Sequence, residues 1–142
     1  MKITVAGLGP GDKEYILPIV QNALVKADVV IGYDYYFQFG KEYFKEDAEL
    51  IAMPLGKEEA RAEVAIQKAK EGKYVVVIGS GDASIYSMAA IVYEMVAQQD
   101  EDKLELETLP GVSAFLASGS KLGAPLGHDF CCISLSDLMT PW

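Results

Sequence analysis

The sequence predicts an α/β domain, a parallel-type sheet in three layers with helices flanking both faces. Three observations predict it. Short β-branched runs alternate with segments of helical spacing, the run Tyr74-Val75-Val76-Val77-Ile78 has no polar alternation, and glycine-containing turns follow several of the strand-like runs. Alternating strands and helices with short connections imply parallel pairing, because parallel neighbours need crossovers and those crossovers are helices. A strand without polar alternation is one covered on both faces.

Residues 1–6 read as a strand, broken by the turn Gly7-Leu8-Gly9-Pro10-Gly11-Asp12. From Ile16, the residues Ile16, Ile19, Val20, Ala23, Leu24 and Ala27 follow the spacing of one helix face. Pro18 belongs in the first turn of that helix, where a missing N–H costs little. Residues 28–31 form a second strand, and the tyrosine-rich stretch 32–43 carries no clear period. Residues 50–53 form a third strand, and 58–71 a second helix with Ala62, Ala65, Ile66 and Ala69 on one side and Gly72 as its stop. The strand 74–78 follows, then the turn Gly79-Ser80-Gly81-Asp82, and a third helix over 85–97 with Met88, Ala89, Val92 and Val96 inward. Residues 104–109 alternate leucine with glutamate, Pro110-Gly111 breaks them, 112–122 form a small-residue helix, and 130–135 open another strand.

A chain of 142 residues, 51% apolar, suits one single-core domain. Its 21 acidic and 12 basic residues give a net charge of -9, which repels a phosphate backbone and excludes nucleic acid as the expected partner. No apolar run approaches the roughly 20 residues of a membrane span, and residues 1–5 enter a strand with no basic leader, so a soluble cytoplasmic protein is expected. Cys131 and Cys132 are sequence neighbours, poorly placed for an ordinary disulfide with each other, and are expected to be buried, inert thiols. With His128 as the single histidine and no Cys-x-x-Cys pair, no metal is expected to be held by this chain alone; His128 itself reads as a structural loop residue. Glu101, Asp102, Glu105 and Glu107 read as a solvated acidic edge.

Gly7 to Asp12, Gly79 to Asp82 and Pro110 to Ser113 all fall at the carboxyl ends of expected strands, the edge where open α/β sheets bind ligands. Glycine admits close backbone approach, and the following helix presents unpaired N–H groups. Any parallel sheet needs tight turns, so each alone reads as structural; three along one edge point to a site. The first turn departs from the dinucleotide fingerprint, since its glycines are misspaced and Pro10 removes a donor.

Taken together, Gly-Leu-Gly-Pro-Gly-Asp, Ala27-Asp28-Val29-Val30-Ile31-Gly32-Tyr33, Ser80-Gly81-Asp82 with Ile85-Tyr86, and Pro110-Gly111-Val112-Ser113-Ala114 resemble the tetrapyrrole (corrin/porphyrin) methylase family. The string from Leu122 through His128-Asp129-Phe130 to Thr140-Pro141-Trp142 is similar to its precorrin-3B C17-methyltransferase branch. The resemblance implies two α/β domains with S-adenosylmethionine in the cleft between them, S-adenosylhomocysteine as product, and a precorrin or cobalt-precorrin substrate. On it, residues 1–127 are the first domain, while 128–142 are the linker and first strand of a second domain that is truncated or missing here.

The same resemblance makes Pro10 a lining of the cleft, Ser80, Gly81, Asp82 and Ile85 holders of the cofactor, and Ser113 and Ala114 its contacts from the third turn. Asp82→Ala is then expected to weaken cofactor binding with the melting temperature nearly unchanged. Asp12, Asp34 and Lys57 are substrate-side candidates by loop position, with solvated loop charge as the plainer reading. Tyr33, with Tyr35, Tyr36, Phe37 and Phe39, either walls a flat macrocycle or packs in the core or across a homodimer; Tyr86 joins the substrate-side set. A sulfonium methyl is already activated, so no nucleophile is expected and no catalytic residue is assigned. Ala83 and Ser84 stand where the family commonly has proline and glycine, and no arginine follows Asp82 as in uroporphyrinogen methylases. The competing readings are a noncatalytic folded fragment and another methylase of the same fold, such as a uroporphyrinogen-III C-methyltransferase.

Overall fold

A computed structural model describes residues 1–99 and 104–134. The β-branched runs form five strands, β1 (Lys2–Gly7), β2 (Val29–Tyr33), β3 (Glu49–Met53), β4 (Tyr74–Gly79) and β5 (Glu105–Leu109). They pair in parallel in the order β3-β2-β4-β1-β5. The helices are α1 (Pro18–Lys26), the short α2 (Phe37–Gly40), α3 (Glu58–Lys70), α4 (Met88–Ala97) and α5 (Ala114–Lys121).

Alternate strand residues serve opposite faces. Ile3, Val5, Val29, Ile31, Val75 and Val77 pack against Ala62, Ala65 and Ile66 of α3 and Val92 of α4. Ala6, Val30, Val76 and Ile78 face the other way, onto Val20 and Leu24 of α1 and the rings of Tyr36, Phe37, Phe39 and Phe44. This is the expected three-layer α/β sheet. The residues Val75, Val76, Val77 and Ile78 are essentially inaccessible, and each stabilises the fold by roughly 1.5–3 kcal/mol.

Several expected boundaries move. The chain from Asp12 first makes a 3-10 turn, Lys13–Tyr15, whose N-cap carboxylate Oδ1 accepts from the Glu14 N–H at 3.1 Å. The α-helix then starts with Pro18 as its first residue, the position its fixed φ suits. Ile19, placed by spacing on the apolar face, is 51% exposed. The helix expected from residue 85 begins at Met88, because Tyr86 sits at φ 47 and Ser87 is extended. The tyrosine-rich stretch is three short helical turns in series, Asp34–Tyr36, α2 and Lys41–Tyr43.

The strand expected over 130–135 is not formed across 130–134, and Leu135 lies outside the described residues. A strand needs a ladder partner, and the five described strands pair among themselves. Phe130 and Ile133 are accordingly exposed. So are Cys131 and Cys132, which corrects the expectation of buried thiols. The acidic edge is also more structured than expected: Lys2 Nζ reaches Glu105 at 3.1 Å and Glu107 at 2.9 Å, and the Thr4 hydroxyl donates to Glu107 at 3.1 Å. Glu101 and Asp102 lie outside the described residues. Among the described residues, no helix is long and apolar enough to cross a membrane.

Candidate functional site

Parallel pairing of β1 with both β4 and β5 sets their carboxyl ends side by side, and with them the three glycine turns. The first two turns are stitched backbone to backbone. Leu8 N–H donates to Gly79 O at 2.8 Å, Gly9 N–H to Gly81 O at 3.1 Å, and Gly81 N–H to Gly9 O at 2.7 Å. The third turn is tied in through a side chain, with the Gly111 N–H donating to Asp82 Oδ2 at 2.9 Å. Asp82 Oδ1 accepts from the Ser84 N–H at 2.8 Å. Both oxygens of Asp82 therefore serve the frame of the site. That changes the expectation for this residue, since its removal must now loosen two turns.

Glycine is required in two of these turns for different reasons. A Cβ on Gly111 would collide with the carbonyl of Gly81 and lie 2.7 Å from that of Gly7. Gly81 has φ +60, and a Cβ there would be 3.8 Å from Ala114 N, so the second turn lies against the start of α5. Ser113 is the N-cap of α5 and is buried, but its side chain makes no capping bond. The first-turn N–H groups of α5 thus have no side-chain acceptor at the cap, and they carry the positive end of the helix dipole.

The structure brings Pro10, Gly81, Asp82, Ser113 and Ala114 together through these joined turns. Ser80 is exposed beside them, its hydroxyl donating to Tyr36 Oη at 3.1 Å. Ile85 is 40% and Tyr86 68% exposed on the loop before α4. The Tyr86 hydroxyl donates to the Cys132 carbonyl at 3.2 Å. Tyr33 ends β2 and meets Tyr36 edge-on with ring centroids 5.1 Å apart. Tyr35 packs edge-on against Phe39 at 5.4 Å. Asp12 and Asp34 each give one oxygen to nearby backbone, Asp34 Oδ1 accepting from Tyr35 N–H at 2.7 Å. Lys57 precedes α3 after edge strand β3, on the far side of β2 from the glycine turns.

Two residues of note gave little sequence signal. Tyr36 was one ring in an aromatic run, and its link to Ser80 spans 44 positions. Arg61 lay in a charged stretch of α3, yet it is only 3% exposed. Its Nη2 donates to Pro54 O at 3.0 Å, its Nη1 lies 3.4 Å from Met88 Sδ and 3.9 Å from Glu58, and its Nε has no partner among the described residues. Arg61 therefore pins the loop after β3 to the start of α4. Its spacing from Ala62 and Ala65 was the only hint, since small neighbours leave room for a long side chain.

S-adenosylmethionine, which the resemblance implies, is tested by the shape of this edge. Its ribose and amino-acid ends need backbone donors and acceptors with close access. The exposed Ser80 hydroxyl and the uncapped start of α5 provide them beside the partly exposed Gly81, so the residues fit the group.

Known proteins agree with the geometry. Residues 2–142 match the sequence pattern of the Tetrapyrrole (Corrin/Porphyrin) Methylases. A probable cobalt-factor III C(17)-methyltransferase of Salmonella typhimurium is 44% identical over 140 residues, covering 99% of this chain and 57% of that protein. A precorrin-3B C(17)-methyltransferase of Sinorhizobium sp is 37% identical, covering 97% of this chain and 54% of the relative. The crystal structure of the methyltransferase CobJ superposes with a TM-score of 0.90 at 40% identity, over 98% of this chain and 58% of that one. The chain thus spans little more than half the length of these three relatives. The matched region contains all three joined turns and the strands that carry them, and on that ground the chain belongs to the tetrapyrrole (corrin/porphyrin) methylase family.

Proposed function

We propose that this chain is the cofactor-side half of an S-adenosylmethionine-dependent C-methyltransferase of cobalamin biosynthesis. It acts at C17 of precorrin-3B or cobalt-precorrin-3, with contraction of the macrocycle. The observation that carries the reading is the stitched triple turn, whose free side offers Gly81, Ser80 and the start of α5 to one ligand. The names of the Salmonella and Sinorhizobium relatives support the choice of carbon.

When bound, S-adenosylmethionine supplies a methyl group already activated on a sulfonium. The protein's work is then positioning. Ser80, Gly81, Ile85, Ser113 and Ala114 hold the donor, Pro10 lines the cleft, and Asp82 keeps the two turns in register. Tyr33, with Tyr36 tied to Ser80, faces the acceptor; Asp12, Asp34, Lys57 and Tyr86 are the remaining acceptor-side groups of the reading. Residues 1–127 form the first domain, and 128–142 lead into a second domain supplied by the same native chain or in trans. The compartment is the cytoplasm, where the free thiols of Cys131 and Cys132 stay reduced.

Isothermal titration of the chain with S-adenosylhomocysteine tests the donor site, and saturable binding is expected. Supplying the second half in trans should then restore methylation of cobalt-precorrin-3 but not of uroporphyrinogen III. Absence of binding at high ligand concentration would leave a noncatalytic folded module as the better account.

A further inference from the structure

A cleft of about 350 Å³ opens between the first glycine turn and α5, bordered by Pro10, Gly11, Asp12, Tyr15, Ser118 and Lys121. We propose that this cleft is a carboxylate-binding subsite, in which Lys121 and Ser118 hold an acidic group of a ligand bound at the same edge. The proposal rests on the methyltransferase reading above and adds to it a residue that neither the glycine turns nor the aromatic segment indicated.

Four observations converge on Lys121. Ser118 and Lys121 stand three residues apart on α5, so a hydroxyl and an ammonium share one face. Among the described residues Lys121 makes no ion pair, a state it shares with Lys26, Lys41, Lys57 and Lys73, and of these five it is the one that borders the cleft. The end of α5 does not need it as a cap. Leu122 N–H donates to Ser118 O at 2.9 Å, Gly123 N–H to Ser120 O at 3.3 Å, and Ala124 N–H to Gly119 O at 2.9 Å. The acid in the cleft, Asp12, already accepts from the Glu14 backbone. In a chain of net charge -9, an uncommitted ammonium at the ligand edge is the natural anchor for an anion.

A carboxylate in this site has two sources, the amino-acid end of the methyl donor or an acetate or propionate arm of the macrocycle. Titrating the 142-residue chain with two probe pairs separates them. The donor pair is S-adenosylhomocysteine against 5′-methylthioadenosine, which lacks the amino-acid end. The macrocycle pair is cobyrinic acid against cobinamide, whose arms are amides. Lys121→Glu should weaken the acid member of one pair by about tenfold, the scale of one lost charge-assisted contact, and leave its neutral counterpart unchanged. Lys121→Arg should retain most of the affinity, and Lys121→Ala should lie between. Whichever acid responds identifies the source. Equal losses for both members of a pair, or no loss for either acid, would overturn the subsite while leaving the methyltransferase reading intact. A wild-type chain that binds none of the four probes would overturn that reading and the subsite together.

Discussion

Asp82→Ala is the most informative single perturbation, because the structure and the sequence motif assign this carboxylate different tasks. Its two oxygens accept from Ser84 N–H at 2.8 Å and Gly111 N–H at 2.9 Å. Hydrogen bonds to a charged group contribute roughly 1.5–3 kcal/mol each; Asp82 is half-exposed, so a discounted total of about 2 kcal/mol is appropriate. For a chain of this size that corresponds to a fall in Tm of about 6 °C. Thermal melts followed by circular dichroism, run beside S-adenosylhomocysteine titrations, check both halves of the argument. Asp82→Ala should lose stability and donor affinity together, since the third turn is released from the second. Asp82→Asn keeps a carbonyl acceptor for one N–H and should recover about half of the Tm loss. A Tm within about 1 °C of wild type for Asp82→Ala would refute the clasp and return the residue to a purely ligand-facing role.

Two further outcomes follow from the same packing. Gly111→Ala forces a methyl group into the carbonyls of Gly81 and Gly7 and should cost more than about 4 kcal/mol, read as loss of a cooperative melt; a normal melt would mean that the turns are not in contact. The Lys2 ammonium beside Glu107, assisted by the Thr4 hydroxyl, holds that carboxyl below its usual range against the opposing effect of burial. A carboxyl depressed in the folded state contributes stability above its unfolded pKa and loses it as pH falls through the folded one. Urea midpoints measured from about pH 7 to pH 3 should therefore decline less steeply in Glu107→Gln than in wild type, and parallel curves would remove Glu107 from the acid response.

The sheet was legible because parallel strands declare themselves locally: Val75 to Ile78 carry no polar residue, and each run ends at a turn former. Strand order was not. It depends on which neighbour each crossover reaches, and no residue in β2 or β3 encodes that. The start of α4 was misjudged because spacing alone runs back through Ile85, whereas Ala89 N–H bonds to Ala83 O and Tyr86 takes a left-handed φ. The glycine turns were legible as places where backbone must approach backbone, yet the Asp82 to Gly111 clasp was not, since its partners are 29 residues apart. Arg61 shows the same limit from the other side. It lies in a charged stretch of the sequence, and only the loop at Pro54 and the head of α4 make it a buried strut.

The clasp also accounts for the departure at Ala83 and Ser84. A proline and glycine at these positions would stiffen the turn and admit unusual backbone angles, and their loss removes that local constraint. In this chain the stiffness comes from elsewhere. Asp82 takes the Ser84 N–H, a donor that serine and glycine supply equally. Ala83 is fully buried and its carbonyl accepts from the first turn of α4 at 3.2 Å. Neither bond uses the Ala83 N–H, the one group a proline would remove. The turn is thus held by its neighbours rather than by its own residue types, and the cofactor frame tolerates this sequence change for as long as Asp82 spans the second and third turns.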